Sequence, residues 1–223
     1  MKAWAPEPGV VVIAVVAYPG MCCAQDLAAL QHEPGVQLRW VQQPLQLGGA
    51  HLVVLPDAGD SAAALQWMRQ QRLDAVVVAH AQSGGRVLGL GGGVPMLAEA
   101  LIDLQRVQGN VPGLGLLPVV TLCAPPAQTA CAGHLGAPVA LTLQGLRSGW
   151  AALNGLALQV QPALRGQTHW RADMQAGQAQ PATEVVPHLA WQSGQGNVWG
   201  CCWHGMWADA ALRHAVCAML RAS

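Results

Sequence analysis

Residues 86–97, RVLGLGGGVPML, decide the fold of this chain. The first five residues predict a buried strand, the run of three glycines predicts a tight turn, and Val94 begins a predicted helix. Pro95 then falls in the first turn of that helix, where proline costs little. A strand, a sharp turn and a helix build the nucleophile elbow, in which Ser or Cys occupies the turn. Gly91 stands at this turn, so the stretch predicts the shape of an elbow without a nucleophile.

Strands and helices alternate through the first half of the chain. The apolar patterns predict strands at 10–17, 36–41, 51–56 and 87–90 and helices at 24–31, 61–71 and 73–81. The second half predicts strands at 116–123, 139–143, 156–160 and 197–203 and a last helix at 208–221. This alternation favours an α/β fold with a mainly parallel sheet flanked by helices. We expect residues 1–223 to form a single domain, because a chain of this length can bury one core.

Several stretches, in one collinear order, resemble the class I glutamine amidotransferase domain of cobyric acid synthases. Residues 87–97 are similar to the family's V-L-G-I-C-G-G-Y-Q-M-L-G, and residues 52–56 to its strand ending in L-P-G-S-K. Residues 63–80 share its pattern of Trp, Leu, Asp and His. Residues 111–119 look like V-x-G-L-G-L-L-P-V, and residues 198–207 look like V-f-G-T-Y-L-H-G-L-F. The resemblance implies a flavodoxin-like amidotransferase fold in which strands from the second half extend the sheet.

The resemblance also implies a chemistry, in which a cysteine thiolate attacks glutamine, a histidine moves protons and backbone N–H groups hold the oxyanion. Gly91 aligns with that cysteine, and His204 aligns with the catalytic histidine. Asp57 replaces the glycine of the family's P-G-S-K-N-T segment, where a carboxylate would oppose the developing negative charge. In the other interpretation, Asp57 and Asp60 cap the helix that begins near Ser61.

Two further features bear on the site. Gly92 and Gly93 continue the turn, and we favour a tight turn without a ligand over an anion-binding loop. The family's Y-E-I-H segment aligns with residues 142–145, which puts Leu143 and Gly145 at its glutamate and histidine positions. Both polar side chains are therefore expected to be missing.

We expect a catalytically degenerate relative of the cobyric acid synthase glutaminase domain, whose activity the sequence leaves open. Its role would be a binding or interaction module in cobalamin or other cofactor metabolism. One alternative is an active amidotransferase subunit that supplies ammonia to a separate synthetase chain, using His204 with Cys201, Cys202 or another nucleophile. Another is a small-molecule binding protein whose ligand lies between Gly91, Asp57 and His204. The sequence has no Gly-x-x-x-x-Gly-Lys-Ser/Thr loop, so we expect a stand-alone domain that does not itself amidate a corrinoid.

Composition limits the partners. Charged residues make up 10% of the chain, hydrophobic residues 52%, and the formal net charge is zero, which argues against nucleic acid. The same weak charge favours association with a protein partner or a second copy. The apolar run 9–17 is shorter than the ~20 residues of a membrane helix and reads as a strand rather than a signal sequence, so we expect a cytoplasmic protein. The seven cysteines lack C-x-x-C spacing, which predicts reduced thiols and no metal, and we assign no cofactor.

Overall fold

A computed structural model describes residues 9–22, 24–103, 109–123, 137–162, 167–171, 183–187 and 189–222. The strands of the first half are β1 (Val11–Val16), β2 (Val36–Val41), β3 (Leu52–Leu55), β4 (Arg86–Leu90), β5 (Ala100–Asp103) and β6 (Val111–Pro112). Those of the second half are β7 (Val119–Cys123), β8 (Val139–Thr142), β9 (Ala157–Pro162), β10 (Gln167–Arg171), β11 (Thr183–Val186), β12 (Ala190–Gln192), β13 (Val198–Cys201) and β14 (Trp203–His204). The α-helices are α1 (Ala24–Gln31), α2 (Ser61–Gln70), α3 (Leu73–Gln82), α4 (Gly93–Leu97) and α5 (Ala210–Arg221).

The main sheet has seven strands in the order β11-β12-β13-β4-β3-β1-β2. The five strands from β13 to β2 pair in parallel, and β12 and β11 add antiparallel pairs at one edge. The mainly parallel sheet and its extension by second-half strands, both expected from the sequence, are confirmed. Because β3, β4 and β13 are neighbours, the segments that follow their carboxyl ends lie side by side, although they are distant in the sequence. Open α/β sheets bind their ligands at the carboxyl ends of their strands.

Two apolar layers cover the sheet. Successive residues of β1 point to opposite faces, so that Ala14 and Val16 join one layer and Ile13 and Val15 join the other. The first layer contains side chains from α2, α3 and α4. The second contains side chains from α1 and α5 and four fully buried tryptophans, which are Trp150, Trp199, Trp203 and Trp207.

Two smaller sheets complete the described part of the chain. One has the order β10-β7-β5-β6, and the other has the order β14-β9-β8. In the latter, His204 of β14 pairs with Gln161 of β9 in antiparallel register. The backbone of His204 is therefore held by this three-stranded sheet, shortly after β13 ends in the main sheet.

Some predicted boundaries are wrong for identifiable reasons. The predicted strand at 116–123 begins only at Val119, because the N–H groups of Leu116 and Leu117 both donate to the Leu97 carbonyl instead of a strand. The predicted strand at 197–203 is divided into β13 and β14, because β13 pairs within the main sheet whereas Trp203 and His204 pair with β9. That residues 1–223 form one domain stays a prediction.

No helix in the described part of the chain is long and apolar enough to cross a membrane.

Candidate functional site

The stretch 86–97 forms the predicted strand, turn and helix. β4 ends at Leu90, and α4 begins three residues later at Gly93. Gly91 lies between them with a φ of +51°, in the left-handed region that favours glycine. Its N–H donates to the Cys201 carbonyl at 2.9 Å, and its carbonyl accepts from the Val94 N–H at 3.0 Å. The turn is therefore anchored to the neighbouring strand β13 as well as to its own helix.

Gly92 and Gly93 allow this turn to approach the end of β3. A Cβ on Gly92 would lie 2.3 Å from the Ala58 carbonyl oxygen, and a Cβ on Gly93 would lie 2.2 Å from the Leu55 carbonyl oxygen. The Ser61 hydroxyl, at the start of α2, also joins this turn by donating to the Gly92 carbonyl at 2.7 Å. Both glycines thus have a packing reason to be glycine. The preference for a turn without a ligand over an anion-binding loop stays a prediction.

Asp57 follows β3 and is fully buried. Its Oδ1 accepts the Gly92 N–H at 2.5 Å, and its Oδ2 lies 3.5 Å from Nε2 of His204. The N-cap of α2 is Asp60, whose Oδ1 accepts the Ala63 N–H at 2.9 Å. The capping interpretation is therefore confirmed for Asp60 and wrong for Asp57, whose carboxylate faces the turn.

The carboxylate of Asp57 also fills the space beside Gly91. A Cβ built on Gly91 would lie 2.6 Å from Asp57 Oδ1 and 2.7 Å from its Cγ, closer than real Cβ contacts come. A side chain at the tip of the turn and the observed position of the Asp57 carboxylate therefore exclude each other. The sequence predicts that Asp57 lies near the turn, but not that its carboxylate occupies this space.

His204 completes the group, with 4% of its surface exposed. Its strand partner is Gln161, and the preceding residue, Trp203, is fully buried. Its ring faces the carboxylate that Gly92 also contacts. The structure thus brings the predicted site residues Asp57, Gly92 and His204 together, with Gly91 beside them.

A loop that the sequence analysis missed covers Asp57 from the other side. The Cys22 N–H donates to the Asp57 carbonyl at 2.7 Å, and the Gly59 N–H donates to the Gly20 carbonyl at 3.2 Å. Met21 forms a β-bridge with Ala58. The Tyr18 hydroxyl donates to the Pro56 carbonyl. We call residues 18–22 the covering loop. Its one sequence signal is that Tyr18 is the sole tyrosine of the chain.

Comparison with known proteins places the chain in a family. Residues 12–212 match the CobB/CobQ-like glutamine amidotransferase domain. The chain belongs to this family. It is 42% identical over 204 residues to the cobyric acid synthase of Paracidovorax citrulli (strain AAC00-1), a match that covers 92% of the chain and 40% of the relative. It is 40% identical over 211 residues to the cobyric acid synthase of Polaromonas sp. (strain JS666 / ATCC BAA-500), covering 95% of the chain and 40% of the relative. The chain therefore spans about two fifths of the length of these curated relatives.

Solved structures show the same fold. A glutamine amidotransferase crystal structure with 15% identity matches with a TM-score of 0.61 and covers 95% of this chain and 99% of its own. PurLQS from Thermotoga maritima, with 17% identity, matches with a TM-score of 0.60 and covers 95% of each chain. At such low identity the likeness shows the fold alone, and it confirms the predicted class I amidotransferase architecture.

The other residues that the sequence analysis singled out are poorly suited to react. Leu143 is fully buried in the apolar layer that contains Trp203, and Gly145 lies in a turn with a φ of +74°. Burial raises the pKa of the Cys201 thiol well above its ordinary value, which leaves it protonated. Its Sγ is 3.8 Å from the Gly89 carbonyl and 3.9 Å from Met206 Sδ.

Cysteine and metal chemistry need one correction. Cys22 takes part in a disulfide bond, so the expectation of reduced thiols is wrong for that residue. Cys201, Cys202 and Cys217 form no disulfide bond. Within the described ranges, no three His, Cys, Asp or Glu side chains gather as a metal site requires.

Proposed function

We propose that this protein is a catalytically inactive relative of the cobyric acid synthase glutaminase domain. The observation that carries the proposal is the position of the Asp57 carboxylate, which lies against Gly91, accepts the Gly92 N–H and faces His204. In this interpretation Gly91 holds the place of the family's cysteine, and the domain acts as a binding or interaction module.

The first argument concerns the nucleophile. Glycine offers no atom that could attack an amide, and a side chain at this position would meet Asp57 at 2.6 Å. Loss of activity therefore involves at least two residues. Replacing Gly91 alone would not rebuild the site.

The second argument concerns the oxyanion. In elbow enzymes, the backbone N–H of the residue after the nucleophile stabilises the oxyanion, and here that N–H belongs to Gly92 and already donates to Asp57. Two like charges ~4 Å apart repel by about 4 kcal/mol at an effective dielectric of ~20, or on the order of 10³ in rate. Asp57 would therefore both occupy the donor and oppose the charge that the donor should stabilise.

The sequence is also compatible with two other functions. An active subunit that supplies ammonia would need another nucleophile beside His204, and the buried Cys201 does not provide a thiolate. A small-molecule binder would need space at the turn, whereas Asp57, Gly91 and His204 are packed together and buried. These contacts support the inactive module over both alternatives.

The biological setting of the module is part of the proposal. We place it in cobalamin or other cofactor metabolism, because its relatives at about 40% identity are cobyric acid synthases. In those relatives the matching part makes up 40% of a longer chain. We therefore propose a protein partner or a second copy of the chain as the binding partner, in the cytoplasm.

The direct test is turnover of glutamine. We expect the purified protein to form no more glutamate from glutamine than a His204→Ala variant, and to resist labelling by glutamine-mimicking electrophiles. Glutamate formation clearly above that of His204→Ala would refute the proposal, and the active-subunit alternative would replace it.

A further inference from the structure

The Asp57 carboxylate is held as a bound anion is held. Each of its oxygens faces a different group, the Gly92 N–H at 2.5 Å and the His204 ring at 3.5 Å. The aspartate is fully buried, and only 4% of the histidine surface is exposed. Burying a carboxylate is costly unless it is hydrogen-bonded, so the Gly92 N–H and the His204 ring help to offset its desolvation cost.

We propose that Asp57 is the intramolecular ligand of a carboxylate-binding site, and that a free monocarboxylate binds there when the Asp57 side chain is shortened. The site consists of the Gly92 N–H, the His204 ring and the space left open by the missing side chain of Gly91. This inference rests on the proposed function, since both treat the carboxylate as a fixed occupant of the turn.

The size of the ligand follows from which atoms are removed. Asp57→Ala removes a carboxylate and leaves Cβ, so the missing group matches formate. Asp57→Gly also removes Cβ, so the missing group matches acetate. Either change leaves the Gly92 N–H and the His204 ring without this acceptor in a buried place, which is unfavourable until an anion returns.

The native protein has no room for such an anion. Asp57 fills the space beside Gly91, and the covering loop holds the Asp57 backbone from the other side. We therefore expect formate and acetate to leave the native protein unaffected beyond the general influence of salt.

The experiment measures thermal unfolding of the full chain with sodium formate, sodium acetate or sodium chloride at equal ionic strength. The variants are Asp57→Ala, Asp57→Gly and Asp60→Ala, the last of which removes an exposed capping carboxylate from the same loop. We expect formate to raise the Tm of Asp57→Ala saturably, by about 3–6 °C at ten times its dissociation constant. Acetate should act more strongly on Asp57→Gly than on Asp57→Ala, and Asp60→Ala should respond as the native protein does.

A response of Asp57→Ala to formate no larger than that of the native protein or of Asp60→Ala would overturn the proposal. An equal rise in Tm with formate in Asp57→Ala and Asp57→Ala/His204→Gln would also overturn it, because the His204 ring would then have no part in binding. If Asp57→Ala does not fold alone, its refolding yield in formate against chloride gives the same answer. None of these outcomes depends on glutamine turnover by the native protein, so failure here is distinct from failure of the proposed function.

Discussion

Gly91 and Asp57 depend on each other at the scale of single residues. Gly91→Cys would add a Cβ 2.6 Å from Asp57 Oδ1, in a backbone conformation with a φ of +51°. We expect it to lower the free energy of unfolding by about 2–5 kcal/mol, from left-handed strain and from overpacking. Denaturant unfolding measures this loss. Glutamate formation from glutamine should stay at background, because Asp57 still opposes the oxyanion.

The control for strain is Gly115→Cys. Gly115 has a φ of +65° with nothing within 4 Å of its Cβ position, so that only the strain of about 1–2 kcal/mol should appear. The double variant Gly91→Cys/Asp57→Gly relieves the clash. Its loss in free energy of unfolding should therefore be smaller than the summed losses of Gly91→Cys and Asp57→Gly by about 1 kcal/mol or more. Additive losses would show that the two side chains do not compete. Strong glutaminase activity in Gly91→Cys alone would show that the rest of the site is intact.

The sequence predicts which residues belong to the site, but not the contact between Asp57 and His204. Gly91 and His204 follow from their motifs, and Asp57 follows from one departure within a motif. The contact between Asp57 and His204 does not follow, because it joins the ends of strands far apart in the sequence and depends on the carboxylate rotamer. A short acidic residue before a helix is also the usual signature of an N-cap, which Asp60 provides.

At the scale of elements, the connection between α3 and β4 gives a pH prediction. The ring of His80 packs against Gly85, and its Nε2 lies 3.3 Å from the Arg86 carbonyl. Burial lowers the pKa of His80, and the hydrogen bond to Arg86 opposes this effect more weakly. The unfolded chain therefore binds a proton at a higher pH than the folded chain, which makes the protein less stable as pH falls below the ordinary histidine value of about 6.5.

Urea unfolding between pH 7.5 and 5 tests this prediction. We expect the stability of the native protein to fall with pH, and we expect His80→Gln to make the fall shallower. His32→Gln, which changes an exposed histidine, is the matched control and should keep the native slope. If the stability of His80→Gln falls with pH as steeply as that of the native protein, the burial of His80 does not contribute to the pH dependence.

The elements themselves were predictable where they are long and apolar. Strands β1 to β4 and helices α1 to α3 match their predicted bounds within a residue or so. Strands β5, β6, β10, β11 and β12 were missed, because they are two to five residues long and carry no sustained alternation. Such strands are specified by pairing with neighbours, which a single sequence does not reveal.

At the scale of the whole molecule, the fold followed from several motifs in one collinear order. The family match over residues 12–212 and the parallel order of β13, β4, β3, β1 and β2 agree with that expectation. The carboxyl ends of three adjacent strands define the site, so its general place follows from the fold. Its chemistry follows only from the side chains at those ends.

The final prediction is that the whole chain associates with itself or with a partner. Its charged fraction of 10% is well below the ~25% of typical soluble domains, and its formal net charge is zero, so that little repulsion separates copies near pH 7. We expect light scattering at micromolar concentration to give a defined mass above that of one 23.2 kDa chain, or a pull-down to recover one partner in stoichiometric amount. Association through a specific interface should persist at pH 8.5, where net charge weakens unspecific contacts. A monodisperse monomer that recovers no partner would contradict the prediction and remove the main reason to propose an interaction module.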